Sequence, residues 1–211
     1  GNLTLPGKFT DSIKFAKFLG LYIAEGSFGK PRGGNYKVII TQLKKQNHKF
    51  VESILDDYNF CYSKNGDFQI TNKELWEYVE QFGRSYDKHF PRDFLNTASY
   101  EQLTAAFEAY ILGDGNWQSD TACTAYTTSP QLVDDLQEIA AKLGYKTQYK
   151  KYVLPNINHN DKYCVYFNKK SVDTRVDKAP ANRDDTCLEP YKGKVYCITV
   201  QDTERFVLRQ K

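Results

Sequence analysis

Two stretches of this chain end in an acid followed by glycine. Phe18-Leu-Gly-Leu-Tyr-Ile-Ala-Glu-Gly26 aligns with Phe107-Glu-Ala-Tyr-Ile-Leu-Gly-Asp-Gly115 at an offset of 89 residues. Both read as the ends of apolar helices. The first helix opens near Thr10-Asp11 and carries Ile13, Ala16, Leu19, Gly20 and Ile23 at helical spacing. The second opens at Ser99, with Gln102 three residues on, a capping-box pattern. Glu25 and Asp114 then sit at the negative end of each helix dipole, where an acid is disfavoured by up to about 1 kcal/mol. Gly20 and Ala24 are four apart, as are Ala109 and Gly113, so each pair shares a face that lets two backbones approach closely. Helices packed through those faces bring the carboxylates together, and each raises the pKa of the other. A hard divalent cation with oxygen ligands, Mg2+ or Ca2+, relieves that repulsion. The chemistry that follows is metal-assisted attack of water on a phosphodiester. Gly26 and Gly115 are expected to end the helices and turn the chain into a strand.

The elements that must position these acids repeat with them. A polar turn follows each segment, then a β-rich run, 36–42 in the first half and 121–128 in the second. Next comes a helix. The first is opened by Asn47; the second has Ser129 as N-cap, Pro130 at its first position and Gly144 just past its end. A hairpin follows, turned by Asn65-Gly66 in the first half and by a longer polar loop between 148–154 and 163–167 in the second. The first half adds a helix over 72–82, stopped by Gly83. The reading is a duplicated α+β chain, with half-domains at 1–98 and 99–178 and a tail at 179–211 that belongs to neither repeat.

Composition narrows the function further. No apolar run approaches the roughly 18 residues that span a bilayer, and no signal-peptide pattern opens the chain. The 5 cysteines are an odd, scattered count without a C-x-x-C pair, which points to free thiols rather than a disulfide or zinc framework. With 3 histidines, all far apart, a histidine metal site or Ser-His-Asp triad has little support. Net charge is only +3, but it is segregated. Residues 29–51 hold six Lys or Arg and no acid, and residues 142–160 hold four lysines and no acid, a pattern suited to a phosphate backbone. Methionine is absent, as expected of a processed product or an excised segment.

The two nine-residue segments resemble the LAGLIDADG motif position for position, with Glu25 and Asp114 in the place of its last acid. The resemblance covers about 165 residues in two copies. It implies two pseudo-symmetric αββαββα half-domains packed through the motif helices, forming a saddle of two antiparallel sheets over the DNA major groove. It also implies a site-specific homing endonuclease that cleaves both strands of double-stranded DNA. Such an enzyme would work as a monomer with pseudo-twofold symmetry, away from membranes and wherever the host DNA lies. Glu25 and Asp114, with Ala24 and Gly113 before them, would hold Mg2+, or Ca2+ or Mn2+ in the same place. Gln42 matches the family glutamine that orders solvent, and Lys44 or Lys45 would supply the basic group that stabilises developing charge. In the second half Thr127-Thr128 has neither glutamine nor lysine. That departure implies asymmetric strand cleavage, or a charge supplied by Lys169 or Lys170. The residue types suited to base edges and phosphates are Lys30, Arg32, Asn35, Lys37, Lys45, Gln118, Tyr126, Gln148, Lys150 and Lys151.

Residues 191–208 are similar to the near-C-terminal block of inteins, yet the chain shows no N-terminal splicing nucleophile and no terminal His-Asn. The tail is therefore expected to be an intein fragment or a remnant packed on the endonuclease. Two other classes remain open: a non-cleaving nucleic-acid binder or RNA-splicing maturase of the same fold, and a purely structural β-rich domain. The doubled acidic helix ends weigh against the last.

Overall fold

A computed structural model describes residues 6–31, 33–42, 44–153 and 161–169. Arg32, Lys170 and the tail lie outside these residues. The first half runs α1 (Ser12–Glu25), β1 (Gly26–Phe28), β2 (Lys37–Ile40), α2 (His48–Leu55), β3 (Phe60–Tyr62), β4 (Phe68–Thr71) and α3 (Lys73–Glu80). A connecting stretch holds a short 3-10 turn, Ser85–Asp87, and helix α4 (Arg92–Thr97). The second half runs α5 (Tyr100–Asp114), β5 (Gly115–Ser119), β6 (Ala122–Thr127), α6 (Pro130–Lys142), β7 (Lys146–Tyr152) and β8 (Lys162–Asn168). Both sheets are four-stranded and antiparallel, in the orders β1-β2-β4-β3 and β5-β6-β8-β7. The same order in both halves shows the duplication in the topology. The third helix of the repeat is present in the first half only, among the described residues.

Local sequence explains most boundaries. The Asp11 carboxylate accepts the Ile13 and Lys14 amides at 2.7 and 2.8 Å and starts α1. At α5 the capping box forms in full: Ser99 Oγ accepts the Gln102 amide, and Gln102 Oε1 accepts the Ser99 amide. Ser129 caps α6 through the Leu132 amide, with Pro130 in the first turn. Asn47 departs from expectation. Its side chain makes no capping bond, and the chain enters α2 through a 3-10 turn, Lys45–Asn47. The polar turns expected after the motifs come one short strand later, at 33–34 and 120–121, because Gly26 and Gly115 already pair with Ile40 and Ala125 as the first strand residues.

The core forms around α1 and α5. Phe15, Phe18, Leu19, Leu21, Tyr22 and Ile23 are all buried. Residues of every helical phase are covered, because each motif helix packs on its partner and on its own half at once. The two backbones approach closely at the small residues. A Cβ on Gly20 would lie 2.0 Å from the Ala106 carbonyl oxygen, and one on Gly113 would lie 2.6 Å from Ala24 Cβ. Each sheet turns one face inward: Val38, Ile40, Phe68 and Ile70 in the first, Cys123, Ala125, Val165 and Phe167 in the second. The cysteines described, Cys61, Cys123 and Cys164, are free thiols. No described helix is long and apolar enough to cross a membrane.

Candidate active site and nucleic-acid interface

The packed motif helices deliver Glu25 and Asp114 to one place. Burial raises the pKa of the Asp114 carboxyl to about 6, and the neighbouring Glu25 charge adds to the rise. Burial raises Glu25 as well, opposed by the charges of Lys88 and Lys44. The glycines behind the acids end the helices and open the strands as expected, and they act there through their lack of a side chain. Gly26 and Gly115 are both extended, with φ of −84° and −138°. A Cβ on Gly26 would sit 2.5 Å from the Tyr22 carbonyl oxygen, and one on Gly115 would sit 2.8 Å from the Thr124 carbonyl oxygen.

Sequence reasoning missed Lys88, on the segment that joins the halves. Its ammonium donates to the carbonyl oxygens of Gly26 at 2.6 Å, Tyr22 at 3.1 Å and Ala24 at 3.5 Å. These oxygens cluster at the C-terminal end of α1, where the dipole favours a cation, and the Tyr22 oxygen also accepts the Gly26 amide. Burial lowers its pKa to about 8, while Asp114 and Glu25 both hold the charge on. The site is thus two acids and one lysine in mutual electrostatic contact. Ala24, expected to lend its carbonyl to a metal, already shares it with Lys88.

Gln42 lies beside this group. Its amide neighbour Thr41 donates to the Glu25 carbonyl at 3.1 Å, which ties the end of β2 to the end of α1. The Gln42 side chain is buried; its oxygen accepts the Lys44 amide at 3.0 Å, and its Nε2 has no acceptor. A buried donor without a partner marks a place for solvent or ligand. Of the two candidate lysines, Lys44 is the one whose charge bears on both carboxylates. Lys45 is exposed at the head of the 3-10 turn. Lys169 sits elsewhere. It follows Asn168, opposite Ala122, and its ammonium lies 4.6 Å over the Tyr145 ring. That is the far end of β6 from Thr127, about 17 Å at strand rise, so the positive charge near Asp114 comes from Lys88 instead.

Strand register sorts the nucleic-acid candidates. Gln148, Thr124 and Tyr166 are paired across β7, β6 and β8, as are Lys150, Tyr126 and Cys164. They share the outward face of the second sheet, joined by Gln118, whose amide donates to Thr124 Oγ1 at 2.9 Å. Lys151 pairs with Tyr163 on the opposite face and forms an ion pair with Asp161 at 2.6 Å, so it leaves the set. In the first sheet Lys37 lies outward and donates to Gln69 Oε1 at 3.3 Å. Asn35 accepts from Thr71 Oγ1, and Lys30 is exposed after β1. Register adds Gln69, Tyr152 and Tyr166, which alternation within single strands could not assign. A cleft of about 820 Å3 runs between the halves, lined by Asp114, Lys88, Arg84, Ser27, Tyr126 and Tyr166 among others.

The chain matches two solved structures of the homing endonuclease I-DmoI, one of mesophilic variants and one in complex with its target DNA in the presence of Mg. The TM-scores are 0.53 and 0.51 at 15% identity, covering 74% of this chain and 88% of each of those. The fold is that of the LAGLIDADG homing endonucleases. No family model matches the sequence. Within curated proteins the chain is 28% identical to part of an ATP-dependent Clp protease proteolytic subunit of Chlamydomonas moewusii, over 60% of this chain and 14% of that protein. It is 24% identical to part of the DNA-directed RNA polymerase subunit Rpo1C of Methanocaldococcus jannaschii, over 79% of this chain and 20% of that protein. The chain spans about a fifth or less of the length of these curated relatives.

Proposed function

We propose that this chain is a site-specific homing endonuclease that hydrolyses both strands of double-stranded DNA with divalent metal at Glu25 and Asp114. The observation that carries the proposal is the convergence of the two acids, each at a helix end that disfavours it, with Lys88 alongside. Nothing in folding calls for that group: burial and mutual repulsion both oppose ionised carboxylates there. The donor set fits a hard cation, since two carboxylates converge at the ends of helices whose terminal carbonyls lie beside them. Bound Mg2+ would supply activation of water and stabilisation of the leaving oxygen. Gln42, with a free amide donor beside Glu25, would orient solvent for attack. Lys88 and Lys44 would stabilise the charge that develops on the phosphate.

Each half contributes one acid, so a monomer holds the complete site, and its outward sheet faces would lie along the major groove of the two half-sites. The polar and basic residues on those faces, Lys37, Gln69, Gln118, Gln148 and Lys150, support this placement. The curated relatives support a mobile element. A protease subunit and a polymerase subunit share this segment within a small part of their length, although their named activities have nothing in common. The enzyme would act wherever the host DNA lies.

The test is cleavage of a randomised duplex library in Mg2+, with the cut ends captured and sequenced. One recurrent long sequence cut on both strands is expected. Binding that enriches a sequence without any cut ends would move the chain to the non-cleaving binders or maturases.

A further inference from the structure

Lys88 lies on the connecting segment, and side chains of the second half hold the backbone there. The Ser129 hydroxyl is fully buried and donates to the Lys88 carbonyl oxygen at 2.6 Å, while accepting the Leu132 amide as the cap of α6. Farther along α6, the Asp135 carboxylate accepts the Phe90 amide and Gln131 Nε2, both at 2.9 Å. Arg92 closes the series with an ion pair to Glu138 at 2.5 Å. Asp135 is 1% exposed. A carboxylate so buried costs stability unless its bonds are made, and an apolar face would pack the segment as well. What the polar contacts add is a fixed position for the peptides on either side of His89.

We infer that Ser129 and Asp135 are positioning residues for Lys88, clamping residues 88–90 to α6 so that the ammonium stays on the carbonyl oxygens beside Glu25 and Asp114. The role in cleavage rests on the proposed endonuclease function; the clamp itself does not. Through it, a helix of the second half sets the charge at the helix end of the first.

Two readouts test the clamp. Ser129→Gly keeps a residue type that opens helices well, and Ser129→Thr keeps the hydroxyl. Without DNA, reductive methylation followed by peptide mass spectrometry should label Lys88 slowly in the wild type and in Ser129→Thr. Labelling should be several-fold faster in Ser129→Gly and Asp135→Ala, with exposed Lys30 unchanged in all four. On a duplex recovered by the library selection, Ser129→Gly should lower the single-turnover rate at least about tenfold with little change in DNA affinity. Ser129→Thr should restore the rate, and in a Lys88→Ala background Ser129→Gly should add nothing further. Equal Lys88 labelling in wild type and Ser129→Gly would overturn the inference, as would a rate loss that adds in full to that of Lys88→Ala. If the wild type cuts no duplex, the labelling comparison still decides the clamp, while the endonuclease proposal fails separately.

Discussion

Asp114 is held in a form that suits chemistry better than stability. Its pKa in the folded chain is about 6, against an ordinary 3.8, so folding favours the proton. The cost of its charge is absent below about pH 4 and complete above about pH 6. Asp114→Asn should therefore stabilise the metal-free protein by about 1–2 kcal/mol at pH 7.5, allowing for the support that Lys88 loses. Thermal melts of the two proteins should differ by several degrees at that pH and converge near pH 4. Lys88→Ala should slow cleavage about 100-fold or more while leaving DNA affinity within a few-fold, as loss of a charge-stabilising donor does. A gel-shift titration beside single-turnover kinetics separates the two effects. The acids were legible in the sequence because an acid at the wrong end of a helix is a local anomaly, and here it occurs twice. Lys88 was not legible. Its partners are backbone carbonyls 62 to 66 residues away, and no side-chain pattern records them.

At the scale of elements, the small residues at the helix contact have separable roles. Gly20 faces backbone: a Cβ there meets the Ala106 carbonyl oxygen at 2.0 Å, and a main chain cannot step aside. Gly20→Ala should cost about 3 kcal/mol or more, read as a lower denaturant midpoint with an unchanged slope. Gly113 faces side chains instead, Ala24 Cβ at 2.6 Å and Glu25 Cγ at 2.9 Å. Gly113→Ala should cost less stability but displace Glu25, so its cleavage should fall further than its melting temperature suggests. The repeat and the caps at Ser99 and Ser129 could be read directly, because a capping bond spans three residues. Helix α2 was legible too, but not the 3-10 turn Lys45–Asn47 that leads into it, because no side-chain cap marks that turn. Helix α4 was also missed. Its six residues are too few to show a period, and its burial of Phe94 and Leu95 depends on tertiary packing.

For the whole molecule, the sequence established that there are two similar sheets but not which side of each is free. That depends on register across strands far apart in the chain, and a shift of one residue exchanges the faces. Lys150 and Lys151 show the consequence, as adjacent lysines on opposite faces. Lys150→Ala should weaken DNA binding and reduce the slope of log affinity against log salt by about 1, while Lys151→Ala should leave both nearly unchanged. Equal effects from the two would contradict the assigned face. The most direct test of the account is strand-resolved cleavage of the selected duplex in Mg2+ by wild type, Glu25→Gln and Asp114→Asn, with affinity measured alongside in Ca2+. Linear product from the wild type, loss of double-strand cleavage in both variants, and retained DNA binding are expected. Full cleavage by either variant would contradict the central claim that Glu25 and Asp114 together form the metal-dependent site.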